Sequence, residues 1–99
     1  MDHTLLQKLQ NYFVDQPVLK VWLFGSMSRG EAMDGSDVDL LVKFDPVAKV
    51  GLFQHAAMVD ELETLIHRDV DLVTEGTLFP WVEETVNSEK ILIYERETA

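Results

Sequence analysis

Hydrophobic residues form two kinds of pattern along the chain, and the first consists of short segments rich in β-branched and aromatic residues. One of these, "VLKVWLF", is followed directly by Gly25, and another, "DVDLLVKF", ends at Asp45-Pro46. Because proline cannot donate to a strand ladder, the second segment stops there. The pattern predicts four strands: Val18 to Phe24, Asp37 to Phe44, Asp69 to Thr74 and Lys90 to Glu95.

The second kind of pattern repeats apolar residues every three or four positions, which is the spacing of one face of an α-helix. It predicts a first helix that is capped by Thr4 and closed by Pro17. A long helix is predicted from about Leu52 to Ile66. The apolar positions of the two helices are Leu5, Leu6, Leu9, Tyr12 and Phe13 in the first, and Leu52, Ala56, Val59, Leu62 and Ile66 in the second.

Two shorter helices complete the prediction. Pro80 suits the first turn of a helix that runs to about Ser88. The polar stretch after the first strand contains Gly25, Gly30 and Gly35, and we expect a loop there with a short helix around Met27 to Ala32. Helices and strands therefore alternate, which indicates an α/β domain of two layers, one of sheet and one of helices.

The length of 99 residues suits one compact domain, residues 1–99, since no repeat or linker divides it. No apolar run is long enough for a membrane span, and the start, "MDHTLLQKLQ", is unlike a signal peptide. We therefore expect a cytoplasmic protein. The absence of cysteine excludes disulfides, thiolate catalysis and cysteine-bound zinc.

The charge balance is strongly acidic, with 18 Asp and Glu residues against 8 Lys and Arg and a net charge of −10. Direct binding to nucleic acid or to a membrane surface is disfavoured, because both are anionic. An acidic excess suits a site for divalent cations or a partner with a basic surface, although most of these residues serve solubility.

Two of the predicted strands begin with Asp-X-Asp. Side chains alternate along a strand, so Asp37 and Asp39 share one face, as do Asp69 and Asp71. The Cα atoms within each pair are roughly 6.5–7 Å apart, so both carboxylates can reach one ion or two adjacent ions. Such hard oxygen ligands match magnesium, which shares its shell with substrate phosphates. A solvated strand face is the alternative, and the second copy of the pattern favours a metal site.

The loop after the first strand has the residues of a phosphate-binding turn. Gly25 allows unusual backbone angles and the close approach of a ligand, and successive backbone N–H groups in such a turn bind anions. Ser26 adds a hydroxyl donor, and Arg29 adds a cation suited to phosphate. The Gly-Lys-Ser/Thr ending of a P-loop is missing.

The stretch "GSMSRGEAMDGSDVDLLV", with Gly-Ser, ten residues and then Asp-X-Asp, resembles the signature of the DNA polymerase β-like nucleotidyltransferase superfamily. The short chain is similar to the minimal nucleotidyltransferase (MNT) antitoxins that are encoded beside HEPN toxins in prokaryotes. The resemblance includes "RDVDLVT" and the terminal "ILIYE". It implies a nucleotidyltransferase fold with a mixed four-stranded sheet and helices packed on one face.

The resemblance also implies a function, the magnesium-dependent transfer of AMP from ATP to a tyrosine of a HEPN RNase toxin. Gly25 and Ser26 would hold the β- and γ-phosphates, and Asp37 and Asp39 would ligate two Mg²⁺ ions. Asp71 would ligate the catalytic ion and help to deprotonate the acceptor hydroxyl. The expected partners are ATP and the toxin, with which the chain would form a hetero-oligomer.

Two assignments stay open at this point. Asp69 competes with Asp71 for the third carboxylate position, and we favour Asp71 because it lies within the strand. Arg29 either binds phosphate or is tied to Glu31 or Asp34 to shape the loop.

Other residues are expected to pack or to lie at the surface rather than to carry chemistry. Histidines show no metal spacing, and the tryptophans could line an adenine pocket but suit packing better. These residues are His3, His55, His67, Trp22, Trp81, Met27 and Met33.

Two rival functions remain. The chain could bind nucleotide without turnover and neutralise the toxin by complex formation alone. It could also modify a small molecule, although transferases of that kind usually carry a further helical domain.

Overall fold

The computed structural model describes residues 2–31 and 35–97, which form three α-helices and a four-stranded sheet. Within these residues no helix combines the length and the apolar character needed to cross a membrane. The elements in chain order are α1 (His3–Val14), β1 (Val18–Phe24), a 3₁₀ turn (Gly25–Met27), β2 (Val38–Phe44), α2 (Leu52–Ile66), β3 (Val70–Thr74), α3 (Pro80–Glu89) and β4 (Ile91–Glu95).

The sheet is mixed and has the strand order β3-β2-β1-β4. β1 pairs antiparallel with both β2 and β4, whereas β2 and β3 are parallel. Parallel neighbours need a crossover connection, and α2 supplies it here. The mixed four-stranded sheet implied by the family resemblance is confirmed, and all four strands match their predicted bounds to within one residue at each end.

The main core lies between one face of the sheet and the helices α1 and α2. Buried apolar side chains from both layers meet there, and burial of such surface is the main stabilising term of the fold. The hydroxyl of Tyr12 on α1 also donates to Glu61 of α2 at 2.6 Å. The most buried members of this core are Leu9 and Phe13 of α1, Met58 and Leu62 of α2, and Val18, Val21, Val38, Leu40 and Val42 of the sheet.

Two details of the predicted helices are wrong. The cap of α1 is Asp2 and not Thr4: the Asp2 carboxylate accepts a hydrogen bond of 2.8 Å from the backbone N–H of Thr4. Aspartate and threonine are both good caps, so the pattern alone does not separate them. In α2 the predicted apolar face holds from Val59 onward, but Leu52 is 82% exposed and Ala56 is exposed as well.

The opposite face of the sheet is partly covered at α3. Leu41 points away from the main core, between the inward residues Leu40 and Val42, and is nevertheless buried. Val86 of α3 is also buried outside the main core. Next to the end of α3, the Lys90 ammonium lies 4.3 Å from the ring centroid of Trp22, a side chain on the same face as Leu41. The C-terminal end of α3 is thus anchored beside the face that carries the aspartates.

The connection from α2 to β3 is short and well fixed. α2 ends at Ile66, and the next residue, His67, adopts the left-handed conformation (φ 56°) and donates its N–H to the carbonyl of Glu63 at 2.9 Å. The Glu63 carboxylate accepts from the N–H of Val70 at 2.9 Å, and the Asp69 carbonyl accepts from the N–H of Val38 at 2.9 Å. These bonds set the register in which β3 lies beside β2.

Candidate functional site

The loop after β1 begins with a tight turn. Gly25 has a φ of 72°, in the region that favours glycine. Its carbonyl accepts from the Ser28 N–H at 3.1 Å and from the Ser28 hydroxyl at 2.7 Å. The ordered turn is the 3₁₀ segment Gly25–Met27, earlier than the predicted short helix, whose end at Ala32 lies outside the described residues. Buried Met27 anchors the loop in the core, as expected of a packing residue.

Gly25 lies directly against the carboxylate of Asp39. A Cβ atom at position 25 would lie 3.0 Å from Asp39 Cγ and would overlap Asp39 Oδ2. The contact follows from the antiparallel register, in which Phe24 pairs with Asp39. Only glycine leaves room for the carboxylate at this point, so the loop after β1 and the aspartate strand are in direct contact.

Asp71 lies beside Asp39 on the neighbouring strand. The two residues are direct partners in the parallel β2–β3 register, and both point away from the main core. Asp37 stands one residue before β2 and is exposed. Asp69 precedes β3, and its carbonyl is engaged with β2. The register therefore favours Asp71 over Asp69 as the carboxylate that accompanies Asp39.

The electrostatic environment of Asp39 is unfavourable to a negative charge. Burial raises the pKa of its carboxyl, and the charges of Asp71 and Asp37 raise it further, while Arg29 opposes them. Like charges that face each other across a sheet destabilise it. The fold holds Asp39 in this position at a cost, and a bound cation would remove that cost.

The donor set fits magnesium in kind. Carboxylate oxygens are the ligands that Mg²⁺ prefers, and a Gly25 turn without a side chain leaves space for its phosphate ligands. Across residues 2–31 and 35–97, no three acidic or histidine side chains are already gathered closely enough to hold an ion. Asp37, Asp39 and Asp71 are thus neighbours whose side chains would have to turn toward a shared ion.

Arg29 is held by two carboxylates. Its Nε donates to Glu31 at 3.1 Å, and its Nη1 donates to Glu89 at 2.9 Å. The pairing with Glu31 is one of the two that sequence reasoning proposed, whereas Asp34 lies outside the described residues. Glu89 was missed, because it is 60 residues away in the chain and no local pattern marks it.

The remaining candidates behave as packing or surface residues. His55 is half-buried, bonds through Nε2 to the Leu72 carbonyl at 2.8 Å and lies against Phe44. Trp81 is 69% exposed and stacks on Phe79 at a centroid distance of 4.8 Å. Met33 lies outside the described residues.

Comparison with known proteins identifies a family and several relatives. Residues 7–99 match the family described as "Polymerase beta, Nucleotidyltransferase". The protein adenylyltransferase MntA of Thermococcus cleftensis is 36% identical over 76 residues, which are 77% of this chain and 75% of that relative.

Solved structures show the same fold. A toxin–antitoxin with AMP-PNP superimposes with a TM-score of 0.78 at 20% identity, covering 93% of this chain and 74% of that chain. A complex of tri-AMPylated Shewanella oneidensis HEPN toxin with MNT antitoxin gives 0.74 at 18% identity, covering 97% and 74%. At sequence identities this low, the superpositions show that the fold is shared.

Proposed function

Since this chain belongs to the polymerase β nucleotidyltransferase family, within the MNT protein adenylyltransferases, we propose that it transfers AMP from ATP to a tyrosine hydroxyl of a HEPN RNase toxin. The transfer would make it the antitoxin of a toxin–antitoxin pair in the cytoplasm. The observation that carries the proposal is the contact of Gly25 with Asp39, because it joins a phosphate-binding turn to a carboxylate site.

The turn after β1 would hold the triphosphate. Backbone N–H groups of Gly25 and Ser26, together with the Ser26 hydroxyl, would donate to the β- and γ-phosphates. Arg29 lies in the same loop, and its guanidinium would add positive charge close to them. This orientation would point the α-phosphate toward the sheet face that carries the aspartates.

The carboxylates would hold two Mg²⁺ ions, through Asp37 and Asp39 for both ions and through Asp71 for the catalytic one. Magnesium at such a site neutralises the charge that develops on the attacking and leaving oxygens. In the transfer, the tyrosine oxygen forms a bond to the α-phosphorus, the bond from that phosphorus to the bridging oxygen breaks, and pyrophosphate leaves. Asp71, which is exposed at the edge of the sheet, would accept the hydroxyl proton.

The test is the incubation of the chain with ATP, magnesium and the HEPN protein encoded beside it, followed by intact-mass measurement and peptide mapping. We expect one or more AMP moieties on a toxin tyrosine, and none with Asp39→Asn. Asp60→Asn removes the same charge from the exposed side of α2 and should leave the transfer unchanged. An unmodified toxin, or a toxin modified equally by the Asp39 variant, would contradict the proposal.

Neutralisation by complex formation alone is the second candidate. It is favoured by Phe79 and Trp81, which are 66% and 69% exposed and could bind a protein partner, and by the acidic charge, which could cover a basic RNA-binding surface. Toxin neutralisation that survives Asp39→Asn would select this candidate.

A further inference from the structure

Glu89, the last residue of α3, is the partner of Arg29 that ties the loop after β1 to another element of the fold. The bond from Arg29 Nη1 to Glu89 Oε2 measures 2.9 Å, and the Glu89 side chain is only 18% exposed. Glu31, the second partner, is 62% exposed and lies in the same loop. Glu31 therefore moves with Arg29, whereas Glu89 can hold it against a fixed point.

The end of α3 is such a fixed point. Val86, one turn before Glu89, is buried, and the N–H of Lys90 donates to its carbonyl at 2.8 Å. Lys90 also places its ammonium over the ring of Trp22 in β1. Contacts on both sides of Glu89 thus keep its carboxylate in place beside the sheet.

Within residues 2–31 and 35–97, the hydrogen bonds from the Arg29 guanidinium go to these two carboxylates and leave part of it for a ligand. They use Nε and one N–H of Nη1, while Nη2 serves neither bond. The site lies nearby, because Arg29 is four residues after Gly25, whose backbone lies against the Asp39 carboxylate. An arginine that is already oriented loses less side-chain entropy when it binds an anion than a free one does.

We propose that Glu89 is a positioning residue, which holds the Arg29 guanidinium in the loop that lies against Asp39 so that its Nη2 edge meets the β- and γ-phosphates of ATP. This inference rests on the proposed function and assigns to α3 a part in binding the nucleotide. Its consequence is selectivity for a triphosphate: the positioned charge acts on the terminal phosphates, which AMP lacks.

The test compares the binding of magnesium–ATP and of AMP by calorimetry. Glu89→Ala should weaken ATP binding about tenfold, the size expected for a charge-assisted contact, and AMP binding less than about twofold. Arg29→Ala should behave in the same way, and the double variant should be no weaker than Arg29→Ala alone, because both changes remove one interaction. Glu89→Gln keeps a hydrogen-bond acceptor without the charge, so its affinity for ATP should lie between that of the unaltered protein and that of Glu89→Ala. Glu84→Ala, on the exposed side of α3, is the matched control.

The kinetics of Glu89→Ala separate a positioning role from a purely structural one. If Glu89 positions Arg29, the variant should have a raised KM for ATP in the transfer assay, a kcat within about twofold and an unchanged Tm. Unchanged or tighter ATP binding, equal losses for ATP and AMP, or additive effects with Arg29→Ala would each overturn the inference. If the unaltered protein binds no ATP, the proposed function fails and this inference fails with it. If the unaltered protein binds ATP and the variant binds it equally, only this inference fails.

Discussion

Replacing Gly25 with alanine tests the contact that joins the turn to the carboxylate site. Gly25 and Gly30 both have a φ of 72°, so an alanine is strained at both positions. That strain is about 1–2 kcal/mol. At Gly30 an added Cβ meets no atom of residues 2–31 and 35–97 within 4 Å, whereas at Gly25 it overlaps the Asp39 carboxylate. Gly30→Ala is therefore a control that has the same positive φ and lacks the overlap.

The two variants should differ in both stability and activity. Gly30→Ala should lower the Tm by about 4–16 °C, since each kcal/mol shifts a domain of this size by about 4–8 °C. Gly25→Ala should lose a further ~1–3 kcal/mol, the usual cost of forcing extra atoms into a packed site. Displacement of Asp39 by even ~1 Å should reduce AMP transfer by about a hundredfold.

Thermal unfolding followed by circular dichroism gives the stabilities, and the rate of toxin modification at saturating ATP gives the activity. Equal Tm values and equal rates for the two alanine variants would refute the reasoning, because they would show that Asp39 accommodates the Cβ without loss. A Gly25→Ala variant that is destabilised yet fully active would show that the position of Asp39 is not critical.

Three further predictions concern the carboxylates and the core. Burial and the charge of Asp71 raise the pKa of Asp39 above the value of about 4 in the unfolded chain. The folded state therefore loses stability as the pH rises from about 4 through the raised pKa, because Asp39 becomes charged in an unfavourable place. In EDTA, Asp39→Asn should raise the Tm at pH 7 and change it little at pH 4. Removing divalent cations should stop AMP transfer, and adding magnesium with ATP should raise the Tm of the unaltered protein but not of Asp39→Asn; the same rise in both would contradict the metal assignment. Leu62 is fully buried, so Leu62→Ala should lower the free energy of urea unfolding by about 3 kcal/mol. Leu65 is 37% exposed, and Leu65→Ala should cost less than about 1 kcal/mol. Similar losses for the two variants would contradict the assigned core.

The strands and the outward direction of the aspartates could be predicted from the sequence because both depend on local alternation. Val38, Leu40 and Val42 face the core and Asp39 faces away, as a period of two requires. The family resemblance that rested on Gly-Ser and Asp-X-Asp is confirmed by the match over residues 7–99.

The parts that could not be predicted depend on contacts between distant residues. Nothing near Glu89 in the sequence indicates that it pairs with Arg29, since the partner lies in a loop on another element. The burial of Leu41 on the outer face likewise depends on how the sheet is covered there and not on the strand's own pattern. The exposure of Leu52 also differs from what its helical spacing predicts, because spacing alone does not specify which turns of a helix are covered.

The short connection between α2 and β3 also limits how chain length can vary in evolution. A strand shifted by one residue exchanges its two faces, so one inserted residue in 67–69 would turn Asp71 toward the core and Leu72 toward solvent. The exposed residues 46–49, before α2, lie outside the sheet and can absorb a change in length. Among active members of the family, insertions and deletions should therefore collect before α2, and the spacing from its end to the third aspartate should stay constant.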